Sequence, residues 1–136
     1  MTGRAILFAA TLAFAAVAPA PVSASGDATR GARIFQMCVS CHTVDPAEAG
    51  KRLPGPALVG VFGRAAGALA SFPDYSDHMI SAGRRGLVWD APTIDAYVGD
   101  PISVIPGTTM NFFGIADAKD RADLIAYLRR ANGIDK

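Results

Sequence analysis

Cys38, Cys41 and His42 stand together in the run Cys-Val-Ser-Cys-His, which holds both cysteines of the chain and one of its two histidines. Residues of these types at this spacing can hold a structural metal, act as a redox dithiol, or attach a haem through thioethers. A closed structural zinc site needs four ligands, and His78 is the only further cysteine or histidine, so that set is incomplete without carboxylates. A disulfide between Cys38 and Cys41 would close too small a loop to stabilise much. A redox dithiol of the thioredoxin kind needs a β-α-β setting, and no run of β-branched residues suggests one. Cys-x-x-Cys-His is the attachment signature of c-type haem: both thiols add across the vinyl groups, and His42 reaches the iron from one side.

The opposite axial position decides what such an iron can do. The residues leave it open among His78, Met37, Met79, Met110 and no ligand at all. Met37 abuts Cys38 on the wrong side of the ring. His78 and Met79 lie in "SDHMISAGRRG", whose polar and glycine-rich company predicts surface positions. Met110 lies in "IPGTTMNFFG", where Pro106 and Gly107 break the chain and Phe112 and Phe113 follow, able to shield an iron. A methionine of the ordinary core is the alternative there.

The elements that must position these residues are helices and loops. Residues 27–38 and 117–132 carry helical patterns, the second opening on Asp117 and Asp120, acids suited to a helix N-terminus. Leu124, Ile125, Tyr127 and Leu128 make one apolar stripe along it. A third helix is expected from Ala91 to Gly99, with Asp90 as cap and Pro92 in its first turn. Strand signals are absent, so the expected class is all-α, with three to five helices.

At 136 residues the chain is one domain by length. Its start differs in character from the rest. A charged "MTGR", an apolar run from Ala5 to Ala18, and Val22-Ser23-Ala24 after two prolines describe a secretory signal peptide over residues 1–24. The run is shorter than the ~20 residues a membrane-crossing helix needs. Cleavage after Ala24 is therefore expected, with a cut after Ala20 or a retained membrane anchor as the alternatives, and residues 25–136 form the domain. Of 13 basic residues only Arg4 falls in the leader, so the remainder balances the 12 acidic ones at formal zero. A neutral chain without a basic patch is not built to bind nucleic acid.

These segments together resemble the cytochrome c family, in particular the small soluble bacterial members closest to the mitochondrial protein. The resemblance covers the chain after the leader, in order. It runs through "GDATRGARIFQMCVSCH", "GPALVGVFGRAAG", the tryptophan of "LVW" (Trp89), the tyrosine of "IDAYV" (Tyr97), "IPGTTMNFFG" and "DRADLIAYLRR". It implies the cytochrome c fold, helices and loops wrapped around one covalently attached haem that supplies much of the core. It implies Met110 as the second axial ligand, opposite His42. By the same resemblance the Pro56 carbonyl accepts the other ring N–H of His42, Arg64, Tyr75 and Trp89 bond a haem propionate, and Tyr97 and Thr108 stand near the propionates and the methionine. "SFPDYSD" departs in detail from the family's loop, which bears on Tyr75.

A haem iron bound by His42 and Met110 has no open position for a substrate, so the expected function is one-electron carriage rather than catalysis. The expected setting is the bacterial periplasm, as a monomer. The expected partners are respiratory or photosynthetic redox complexes: a cytochrome bc-type complex, an oxidase, a reaction centre or a dehydrogenase. Where mitochondrial members ring the haem edge with lysines, the matching positions here are Met37, Leu53, Ile102, Ser103, Thr109 and Ala116, none of them charged.

Overall fold

The computed structural model describes residues 26–135, so the expected leader at 1–24 lies outside the described residues. Its α-helices are α1 (Ala28–Ile34), α2 (Asp77–Arg84), α3 (Ala91–Gly99), α4 (Pro101–Val104) and α5 (Ala118–Ala131), with 3₁₀ turns at Phe35–Met37 and Pro46–Glu48. Among the described residues no strand forms, and a single antiparallel bridge joins Ala65 to Val88. The all-α class holds. None of these helices is long and apolar enough to cross a membrane.

Each helix starts on a side-chain oxygen that accepts otherwise unbonded backbone N–H groups: Asp27 for α1, Ser76 for α2, Asp90 for α3, Asp100 for α4 and Asp117 for α5. The helix expected over 27–38 is α1 followed by a tighter 3₁₀ turn. The Cys38 N–H then bonds Phe35 O at 2.8 Å, and the Cys41 and His42 N–H groups both bond Cys38 O, at 3.0 and 2.8 Å. The haem-attachment motif is therefore a compact turn fastened to the end of α1.

That end is held by α5. Gly31 lies so close to the Asp123 carbonyl that a methyl group there would overlap it. Below the contact, Leu124 and Leu128 are buried and the Phe35 and Tyr127 rings lie 5.3 Å apart. Asp123, 1% exposed, accepts from the Asp27 N–H at 2.6 Å and pairs with Arg30 at 2.8 Å and Lys119 at 3.0 Å; Arg30 also pairs with Asp120. The core continues through Ile94 and Tyr97 to Trp89, Ala82 and Met79.

The segment "SDHMISAGRRG" departs from the expectation. It forms α2, and Met79 is core rather than surface, only 9% exposed, while His78 is exposed. The Ser76 hydroxyl caps the Met79 N–H at 3.1 Å, and Met79 and Ala82 turn inward one helical turn apart. Gly83, part of the glycine-rich company that suggested surface positions, lets α2 lie directly on the Ala66 carbonyl.

Candidate functional site

His42 Nδ1 lies 2.7 Å from the Pro56 carbonyl oxygen. A carbonyl can only accept, so Nδ1 carries the hydrogen and donates, leaving Nε2 with a free lone pair. Burial holds the imidazole below its ordinary pKa, against the opposing pull of the Pro56 bond, which keeps it neutral and able to ligate. Gly55 presses on the ring: a β-carbon there would come within 2.5 Å of His42 Cε1. Backbone bonds hold this face in place, from the Gly55 N–H to Cys41 O at 2.9 Å and from the Leu58 N–H to Thr43 O at 2.8 Å.

Both cysteines are free thiols and half-buried. The Cys38 thiol is pushed up to about 11, first by burial and then by its neighbour Cys41. A redox dithiol works through a thiolate stabilised below the ordinary cysteine value, so this site is tuned the wrong way for that chemistry. Among the described residues no three His, Cys, Asp or Glu side chains gather closely enough to hold a metal ion, Cys38, Cys41 and His42 included.

Arg64 is half-buried. Its two terminal nitrogens donate to the carbonyls of Ala57 at 2.9 Å and Val59 at 3.2 Å, and its Nε is buried with no partner. Burial lowers the guanidinium pKa, and nearby Tyr75 offsets this in part. A buried N–H on a cation is costly to leave unbonded, and an ionised carboxylate is the group that fits it. The bridge between the two segments sets Trp89 opposite Arg64: the Trp89 N–H bonds Arg64 O at 2.9 Å and its carbonyl accepts from Gly63 at 2.8 Å. Tyr75, half-buried, meets Phe72 edge-on at 4.9 Å.

Met110 is half-buried. The Tyr97 and Thr108 hydroxyls share a 2.6 Å hydrogen bond, and Thr108 Oγ1 also accepts the Met110 N–H at 3.3 Å. Burial raises the Tyr97 pKa, while the bond to Thr108 works the other way. The Tyr97 ring packs against Trp89, with centroids 5.0 Å apart, which links the Thr108–Met110 segment to the segment paired with Arg64. Cys38, Tyr75 and Met110 all pack against one continuous apolar core.

The residues fit a c-type haem. Two free thiols stand at attachment spacing, a buried imidazole keeps one nitrogen free, and a buried guanidinium N–H awaits an anion. The other sulfur and imidazole candidates for the iron sit differently: Met37 is 55% exposed, His78 is exposed on α2 with its ring against Gly107, and Met79 is core. Sequence reasoning missed Gly55 behind the histidine and the Ala57 and Val59 carbonyls under Arg64. Gly55-Pro56 is a turn dipeptide that could have signalled the first; backbone carbonyls leave no signal by residue type.

The family model described as Cytochrome c matches residues 28–132. The chain is 47% identical over 95 residues to cytochrome c2 iso-2 of Magnetospirillum fulvum, covering 70% of this chain and 92% of that protein. It is 37% identical over 129 residues to cytochrome c2 of Blastochloris viridis, covering 95% and 94%. It is 40% identical over 110 residues to cytochrome c of Arabidopsis thaliana, covering 80% and 93%.

Proposed function

The chain belongs to the cytochrome c family, as an electron-transfer protein with one haem c bound covalently through Cys38 and Cys41, and from there we propose that it is a periplasmic one-electron carrier whose iron is held by His42 and Met110. When bound, the haem supplies an iron that gains and loses one electron. His42 offers Nε2 because Nδ1 is committed to Pro56, and that bond also makes the ring a stronger donor. Met110 offers its sulfur from a segment steadied by Thr108 and Tyr97. A thioether favours ferrous iron and so raises the reduction potential. Arg64, with Tyr75 and Trp89 beside it, would bond a propionate and so balance a buried charge. Were His42 and Met110 both to hold the iron, no place would remain for a substrate, and the centre would be limited to electron exchange.

Residues 1–24 would direct export and be removed after Ala24, leaving a monomer near zero formal charge in the periplasm. Its donors and acceptors would be a cytochrome bc-type complex, an oxidase, a reaction centre or a dehydrogenase. The observation that carries this reading is the His42–Pro56 bond, which makes a buried imidazole in the attachment motif a one-sided ligand. Carbon monoxide tests it. Reduced, haem-loaded protein should show no spectral change on exposure to the gas, whereas a prompt shift would mean an open iron and a different class of protein.

A further inference from the structure

Large apolar side chains stand exposed on two limbs of the site. Beside Cys38, Met37 is 55% and Val39 46% exposed; beyond Met110, Phe113 is fully exposed, and Ile102 on α4 is 66% exposed. The two segments of the second limb are packed together by their backbones. Gly114 lies so close to the Gly99 carbonyl that a methyl group would overlap it, and the Ile115 N–H bonds Val98 O at 2.8 Å. The backbone that follows Phe113 therefore lies against the Gly99–Asp100 turn, two residues ahead of Ile102.

Charge is missing from both limbs. The segments 36–40, 102–104 and 109–114 contain no ionisable side chain besides the cysteines, and their exposed polar members include Gln36, Ser103, Thr109 and Asn111. The bordering Asp100 carboxylate is occupied by the Ser103 N–H at 3.2 Å and the Ser103 hydroxyl at 2.6 Å. Elsewhere Lys51 pairs with Glu48, Lys119 with Asp123 and Arg129 with Asp135, while exposed Arg33 on α1 and Arg84 on α2 make no ion pair among the described residues.

We infer that Met37, Val39, Ile102 and Phe113 form the docking face for an uncharged, apolar surface on the protein redox partner. The inference rests on the His42–Met110 reading above, under which the Cys38 limb and the Met110 limb border the same haem. Contiguous exposed apolar surface marks a contact site, and a projecting aromatic is the usual anchor of one. A partner charge pressed against this face would be desolvated with no opposite charge to meet it, so the matching surface must be neutral. Encounter is then unsteered: the association rate is moderate and flat with ionic strength, because there is no attraction for salt to screen.

The test uses haem-loaded protein at gold electrodes coated with alkanethiols ending either in mixed methyl and hydroxyl groups or in carboxylates. The wild type should exchange electrons rapidly at the neutral coating, at a rate unchanged by salt, and poorly at the carboxylate coating. Phe113→Ser should slow exchange at the neutral coating about tenfold, the scale of losing one anchoring aromatic. Phe113→Lys should move the preference to the carboxylate coating and make the rate fall with salt. A wild type that prefers carboxylate, with an intact reversible couple in solution, overturns the docking inference alone. A missing solution couple overturns the carrier reading and this inference with it. Dimers in sedimentation that Phe113→Ser abolishes would assign the face to a second copy, and co-sedimentation with phosphatidylcholine vesicles would assign it to lipid; either result overturns the proposal.

Discussion

At the α1–α5 crossing the chain satisfies itself: Asp123 is buried but accepts from Asp27, Arg30 and Lys119, and Gly31 lets the two backbones touch. Elsewhere, Arg64 keeps a buried nitrogen without a partner, α4 spans only Pro101–Val104, and Met110 is steadied by the Thr108 hydroxyl and the Phe112 N–H. One region satisfies its buried polar groups within the polypeptide; the other leaves a buried cationic N–H unsatisfied, which under the proposed reading the haem would meet. The difference divides the labour of a small domain. Helix against helix holds the attachment turn in place, and under the proposed ligation the loops around Arg64 and Met110 would set what the iron can do.

Removing the haem should break the comparison hardest. Cys38→Ala with Cys41→Ala should yield protein without covalent haem and with little helical circular dichroism, any residual amide protection being confined to α1 and α5. A double variant that folds stably without haem would remove the cofactor from the core. Breaking the self-sufficient side comes next. Gly31→Val must push α5 away, and the loss should reach roughly 4 kcal/mol, the scale reserved for a backbone collision or its equivalent. Denaturant titration of the haem-loaded variant measures it; a loss below about 1 kcal/mol would mean the crossing yields easily.

Asp123 gives a smaller, pH-dependent effect. The Asp27 N–H above all, then Lys119 and Arg30, hold its pKa below the ordinary carboxylate value, while burial pulls upward. Its native pKa is thus lower than its unfolded value of about 3.9. The stability it contributes is complete above that unfolded value and is lost as pH falls through the native one. Asp123→Asn should therefore melt several degrees lower at neutral pH, with the gap to wild type closing in acid. A gap that stays constant down to the acid transition would remove the ionised carboxylate from the explanation. The helix caps Asp27 and Asp117 are lowered too, by backbone N–H bonds first, so the difference between variants is the quantity to read.

The smallest effect sharpens the other side. Tyr97→Phe removes one hydrogen bond to Thr108, which is worth about 1 kcal/mol. Hydrogen exchange should speed up around residues 105–112 and stay unchanged in α1 and α5. A uniform change across both regions would mean that they are one cooperative unit.

The sequence made the two regions unequally legible. The α5 stripe, the Asp90 and Asp117 caps and the attachment motif all announce themselves by residue type and spacing, and the structure bears out the helices they imply. The α2 segment misled because Gly83 and two arginines outweigh one inward pair, Met79 and Ala82, while the real start signal was the single hydroxyl of Ser76. Around Arg64 the partners are carbonyls of Ala57 and Val59, and backbone atoms belong to every residue alike. Charge balance and uncharged rim positions could be read directly. That Phe113 stands fully exposed could not, because it depends on Phe112 turning inward instead.

The most direct measurement is the optical and redox comparison of oxidised, haem-loaded wild type with Met110→Ala, using Met79→Leu as the buried-methionine control. The red sulfur-to-iron absorption band should vanish in Met110→Ala, the reduction potential should fall, and cyanide should bind promptly, while Met79→Leu keeps all three properties of the wild type. A band that survives in Met110→Ala, or disappears in Met79→Leu, would contradict the assignment of Met110 as the ligand opposite His42.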